Sequence, residues 1–137
     1  MIFFNGKRIE PTQFPDGTSS FRFYMEGLEC DSIPAITWKY DNDGECMIVW
    51  YLVNHIRSIM GPDTHVQLMM PYIPNARMDR VKNGDEVFTL KWFADFINSL
   101  HFCHVAVFDP HSNKVLRAYA SRVHLRHQAQ GLAHGQD

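Results

Sequence analysis

Apolar positions recur along this chain with two different periods, and the switches between them mark its elements. In the run CMIVWYLVNHIRSIM, Val49, Leu52, Val53, Ile56, Ile59 and Met60 fall on one helical face. Asn42 reads as the N-cap of that helix with Glu45 at its N3 position, and Gly61-Pro62 closes it. A second helix, capped by Asp85, buries Val87, Leu90, Phe93, Ala94, Ile97 and Leu100. Short apolar segments flank the helices: Ile33 to Tyr40 before the first, His65 to Met70 after it, and Phe102 to Phe108 after the second. The last is a nearly continuous apolar run, as expected of a strand covered on both faces. Met1 to Phe4 and Phe21 to Met25 read as further strands, separated by the turn-forming Pro15-Asp16-Gly17. Strand, helix, strand, helix, strand with short connections predicts an α/β fold: a three-layer sandwich, mainly a parallel sheet with helices on both faces. No internal repeat is visible.

Composition narrows the class. The 137 residues correspond to one domain at roughly 100 to 200 residues each, which excludes a multidomain enzyme. With 45% hydrophobic and 13% aromatic residues, the chain can bury a proper core. A formal charge of -2 gives no basic field, so nucleic acid is not an expected partner. Cys30, Cys46 and Cys103 are widely spaced with no CxxC pair, the pattern of reduced thiols in a cytoplasmic protein. The longest apolar stretch, Cys46 to Val53, is too short to span a membrane, and MIFFNGKRIEP has no signal-peptide pattern. From Pro110 to Gln136 there are four Lys/Arg residues, four of the eight histidines and no Asp or Glu. Residues 114–137 are therefore expected to form a loosely held tail.

In open α/β sheets ligands bind beyond the carboxyl ends of the strands. Two segments fall there: Pro71 to Arg80, after the strand ending at Met70, and Asp109 to Ser112, after the strand ending at Phe108. Neighbouring parallel strands would gather Arg77, Arg80, Asp79, Asp109, His111 and Ser112 on one edge, a set suited to a polyphosphate and its metal. The alternative is a surface loop in which Arg77 and Asp79 pair with each other. His101-x-x-His104 with Cys103, and His124-x-x-His127, lack the spacing of a four-ligand zinc site. No glycine-rich phosphate loop occurs, and Cys103, in an apolar strand, is not expected to act as a nucleophile.

The segments PYIPNARMDR, GDEVFTLKWFADFINSL and VAVFDPHS, in this order, resemble the N-terminal half of the ribose-phosphate pyrophosphokinases, and FPDGT resembles their Phe-x-Asp-Gly-Glu loop. The resemblance covers roughly residues 1–113. It implies a phosphoribosyltransferase type I-like fold and transfer of diphosphate from Mg-ATP to ribose 5-phosphate, giving phosphoribosyl diphosphate and AMP. It also implies a homo-oligomer, no membrane, and Mg2+ as cofactor. Phe14 would stack on the adenine, and Asp16 would accept from its exocyclic amine, both in a neighbouring subunit's site. Arg77 would close over the base and reach the phosphates, with Asp79 bracing that loop. His111 would contact the phosphates and their magnesium, supported by Asp109.

Several positions depart from the family pattern. Thr18 stands where the family has Glu, and Met78 where it has Gln, so nucleotide affinity or selectivity is expected to differ. The short segment between Arg80 and Val87 predicts no allosteric control by ADP. Nothing matches the family's second domain, which holds the ribose phosphate, so the chain alone is expected to be inactive. The alternative is a truncated, catalytically inactive homologue serving as an oligomerising or regulatory module.

Overall fold

The computed structural model describes residues 1–23, 33–72, 74, 84–109 and 125–126. Its centre is a six-stranded sheet in which β1 (Ile2–Phe4), β2 (Lys7–Ile9), β5 (Ala35–Trp38), β6 (Gln67–Tyr72), β7 (His104–Asp109) and β8 (Leu125–Arg126) take the order β2-β1-β5-β6-β7-β8. Pairing is parallel from β5 through β8 and antiparallel where β1 meets β2 and β5. Helix α1 (Glu45–Met60) connects β5 to β6, and α2 (Thr89–Ser99) connects β6 to β7. This is the strand-helix alternation that the sequence predicts, and the fold is α/β with a mainly parallel sheet. A separate two-stranded hairpin, β3 (Thr12–Gln13) and β4 (Ser19–Ser20), lies between β2 and β5 in the chain.

Strand alternation decides which side chains are enclosed. Ile2 and Phe4, Ile36 and Trp38, Leu68 and Met70, Val105 and Val107 all join one core with Ile48, Val49, Leu52, Val53 and Ile56 of α1 and Leu90, Phe93, Ala94 and Ile97 of α2. Trp38, the largest fully buried side chain, sits 5.7 Å from the Phe93 ring and 5.2 Å from Tyr40. Both described helices thus cover the same face. The opposite face, with Phe3, Thr37 and Met69, is half-buried, and among the described residues no helix covers it, where helices on both faces were expected. Arg57, near the end of α1, donates to the backbone carbonyls of Thr64 (3.3 Å), Leu100 (2.6 Å) and His101 (3.0 Å), joining the carboxyl ends of the two helices.

Several local expectations are corrected. Asn42 does not cap α1: Gly44 holds that position with no side-chain bond, and Glu45 is the first helical residue rather than N3. Glu45 has stronger partners. Its Oε1 accepts from the Asp41 amide at 2.7 Å and from Trp38 Nε1 at 3.3 Å, while Oε2 accepts from the Met1 ammonium, which also bonds Asp41 Oδ2 and the Lys39 carbonyl at 2.7 Å each. Ile59 and Met60 are exposed, because burial along α1 stops at Ile56; Ile48 is enclosed in their stead. Asp85 does not cap α2, which starts at Thr89 after half-buried Phe88 packs on the core, and Val87 is exposed. Strand β6 runs on through Pro71, whose missing N–H leaves a gap in the ladder before Tyr72 pairs again. Phe21 to Phe23 belong to no strand; the rest of that expected strand, and Cys30, lie outside the described residues.

Two strands of the six-stranded sheet were not expected, nor were the short β3 and β4 of the separate hairpin. Lys7–Ile9 pairs with β1 across Asn5-Gly6, both at positive φ (48° and 84°), the backbone of a two-residue hairpin turn. Leu125 and Arg126, inside the segment read as a tail, pair with Val105 and Ala106 at the sheet edge. Among the described residues no helix is long and apolar enough to cross a membrane.

Candidate functional site

Three of the residues singled out in the sequence, Phe14, Asp16 and Thr18, share one turn. It joins β3 to β4, whose register pairs Thr12 with Ser20 and Gln13 with Ser19. The Phe14 amide donates to the Thr18 carbonyl at 2.7 Å, and the Gly17 amide returns to the Phe14 carbonyl at 2.9 Å. Gly17 has φ +88°, a conformation that a side chain would strain. The Gln13 side-chain amide reaches the Gly17 carbonyl at 3.3 Å.

This turn fixes the acidic group. Thr18 donates twice to Asp16 Oδ1, from its hydroxyl at 2.6 Å and its amide at 2.9 Å. Those bonds, the hydroxyl's first, hold the Asp16 carboxyl below its ordinary value and keep it an anionic acceptor. The Phe14 ring, 49% exposed, stands at the start of the same turn. Sequence reasoning counted Thr18 as a lost carboxylate. The threonine two residues after an aspartate, a common side-chain-to-backbone turn pattern, was the available signal for its bond to Asp16.

Beside the turn is a cavity of about 530 Å³ lined by Gly17, Thr18 and Ser19 on one side and by Asn42, Gly44, Glu45 and Tyr51 on the other. Its far wall is the start of α1, so the hairpin faces the first turns of that helix; Phe14 and Asp16 do not line it. The carboxyl edge of the sheet runs across β6 and β7. Their parallel register sets Tyr72 opposite Asp109, so the segments expected to carry the phosphate-binding residues leave the sheet from adjacent strand ends. The Tyr72 hydroxyl donates to the Tyr40 carbonyl, and the Tyr40 hydroxyl to Asp43, tying this edge to the start of α1. Arg77, Met78, Asp79, Arg80, His111 and Ser112 lie outside the described residues, as does the Asp109 side chain. Among the described residues no group of three His, Cys, Asp or Glu side chains could hold a metal ion. Cys46, half-buried beside Asp43 and Glu45, has its thiol pushed up to about 11, chiefly by burial.

No protein-family model and no curated protein matches the chain. Among solved structures, the phosphoribosylpyrophosphate synthetase of Mycobacterium smegmatis is similar over 94% of this chain, with a TM-score of 0.66 and 17% sequence identity. The match takes in 42% of the synthetase, so this chain spans about two-fifths of that protein's length. The likeness is one of fold: a mixed α/β sheet of the phosphoribosyltransferase type I-like class.

Proposed function

We propose that this chain is the ATP-binding N-terminal half of a ribose-phosphate pyrophosphokinase. The observation that carries the reading is the turn from Phe14 to Thr18: an exposed aromatic ring and a fixed carboxylate on one hairpin, in a chain whose fold follows a phosphoribosylpyrophosphate synthetase over 94% of its length. Phe14 stacks on the adenine and Asp16 accepts from its exocyclic amine, in the site of a second copy of the chain. Arg77 closes on the base and phosphates beside Met78 and Asp79, and His111 meets the phosphates and their Mg2+. These four residues follow the ends of β6 and β7, which are neighbours in the sheet. The register is what makes one shared site economical.

In the reaction, the anomeric hydroxyl of ribose 5-phosphate attacks the β-phosphorus of ATP, the bond between the α- and β-phosphates breaks, and AMP leaves. The chain's own part is to bind and orient the nucleotide. Mg2+ offsets phosphate charge and takes phosphate and water oxygens readily, so it enters with the nucleotide; the described residues offer no cluster that would hold it alone. The chain spans 42% of the synthetase it resembles in fold, and the ribose-phosphate site belongs, in this reading, to a further domain. Residues 1–113 are the nucleotide-binding part.

Calorimetry with Mg-ATP tests the reading. Wild-type protein binds, and Arg77→Ala and Phe14→Ala each weaken binding. Absence of binding by the wild type would move the assignment to an oligomerising or regulatory module. Supplying ribose 5-phosphate to this chain alone yields no AMP; steady AMP production would show that the site is complete without a second domain.

A further inference from the structure

We propose that Thr18 is a positioning residue that selects the base, through the bond from its hydroxyl to Asp16 Oδ1. This inference rests on the nucleotide reading above and adds to it the group that sets selectivity.

Both bonds from Thr18 end on the same oxygen, Oδ1, at 2.6 and 2.9 Å. None of the hydrogen bonds found among the described residues ends on Oδ2, and Asp16 is exposed at the tip of the turn. The carboxylate is therefore fixed in one rotamer with one oxygen turned to outside partners. An exposed aspartate without such a bond samples several rotamers, and a ligand must then supply the cost of immobilising it. The threonine removes that cost before the ligand arrives. Ionised, the fixed group can accept but not donate, and the two bonds from Thr18 favour that form. It thus favours a base offering an amine N–H at that point and disfavours one offering a carbonyl oxygen, whose lone pairs face the carboxylate. Adenine has the amine and hypoxanthine the carbonyl.

A glutamate at position 18, the residue found in the resembling family, has no hydroxyl donor and would set a second negative charge beside Asp16. Thr18 converts that position from a competing acceptor into a donor. The departure from the family pattern is in this sense a gain in order at Asp16.

The test compares wild type, Thr18→Val and Thr18→Ser by two measurements. Valine keeps the shape and the backbone amide bond while removing only the hydroxyl; serine restores it. In an NMR titration of the Asp16 carboxyl, the valine variant moves up toward the ordinary carboxylate value and the serine variant returns to wild type. In calorimetry with Mg-ATP and Mg-ITP, the valine variant loses roughly five-fold in ATP affinity and narrows the ATP-over-ITP preference, and serine recovers both. An unmoved Asp16 titration, or a valine variant with the wild-type preference, overturns the inference and leaves the nucleotide reading standing. No binding of either nucleotide by the wild type overturns the reading and this inference together.

Discussion

In the crossover unit from Ala35 to Asp109, position is set by burial: Ile36, Trp38, Leu52, Val53, Leu68 and Met70 are fully enclosed by one another. In the hairpin from Thr12 to Ser20 no side chain is enclosed, and the shape rests on hydrogen bonds among Gln13, Phe14, Asp16, Gly17 and Thr18. An isolated two-stranded hairpin is marginal in water, so each of those bonds counts for more locally than any one bond in the sheet. The contrast separates two properties that often travel together. Stability lies in the crossovers, where many residues share it, and ligand geometry lies at the tip, where one hydroxyl can change it.

The strongest way to break that contrast is a core cavity. Leu52→Ala, in the middle of α1, is expected to lower stability by about 2–5 kcal/mol in urea unfolding, through lost burial and the cavity left behind. A cost near zero would mean that the crossover unit is not the stabilising body. Next is Arg57→Ala, which leaves the Thr64, Leu100 and His101 carbonyls without their charged donor and should cost about 1.5–3 kcal/mol. Lysine there recovers only part, since it lacks the planar fork that meets several carbonyls at once.

The hairpin should behave in the opposite way. Phe14→Ala is expected to change unfolding free energy by less than about 0.5 kcal/mol while weakening Mg-ATP binding by roughly ten-fold, the scale of base stacking on an aromatic ring. Equal losses in both would erase the distinction.

Acid titration is a smaller effect. The folded value of Asp16 lies below the unfolded one, so its contribution is present above about pH 3.8 and fades as the pH falls through the folded value. Hairpin signals followed by NMR should stay constant around neutrality and shift only in acid. The smallest effect is chemical: with its thiol pushed up to about 11, Cys46 should react with iodoacetamide more slowly than exposed Cys103 at mildly alkaline pH, as read by peptide mass spectrometry.

The parts of the fold legible in the sequence were those where period and burial coincide. The 3.6-residue pattern of Val49, Leu52, Val53 and Ile56 and the apolar runs of β5, β6 and β7 gave the α/β class and the strand sequence. Periodicity alone could not say where burial ends, which is why Ile59 and Met60 read as core. Cap patterns misled where a tertiary partner outbid the local one: Glu45 answers Trp38 and the chain's own ammonium, and Phe88 anchors the start of α2 better than Asp85 could. The β1–β2 hairpin was readable from Asn5-Gly6, a strong turn signal set between short segments. At the candidate site the turn at Pro15-Asp16-Gly17 was legible. The Thr18 bond was legible only in the spacing of Asp16 and Thr18, a signal overshadowed because a family comparison marks what a residue lacks more readily than what it donates.

From β1 through β5, β6 and β7 to β8, the order of strands across the sheet is also their order along the chain. A nascent polypeptide leaving the ribosome can therefore lay each strand against one that is already exposed and waiting, with no later strand wedged between two earlier ones. In that order each added strand would extend the sheet toward β8, with α1 and α2 positioned to cover the β5–β6 and β6–β7 seams. Such an assembly presents an open strand edge at each stage. Until β8 is in place, the β7 edge is thus the part of the growing sheet most open to pairing with another molecule.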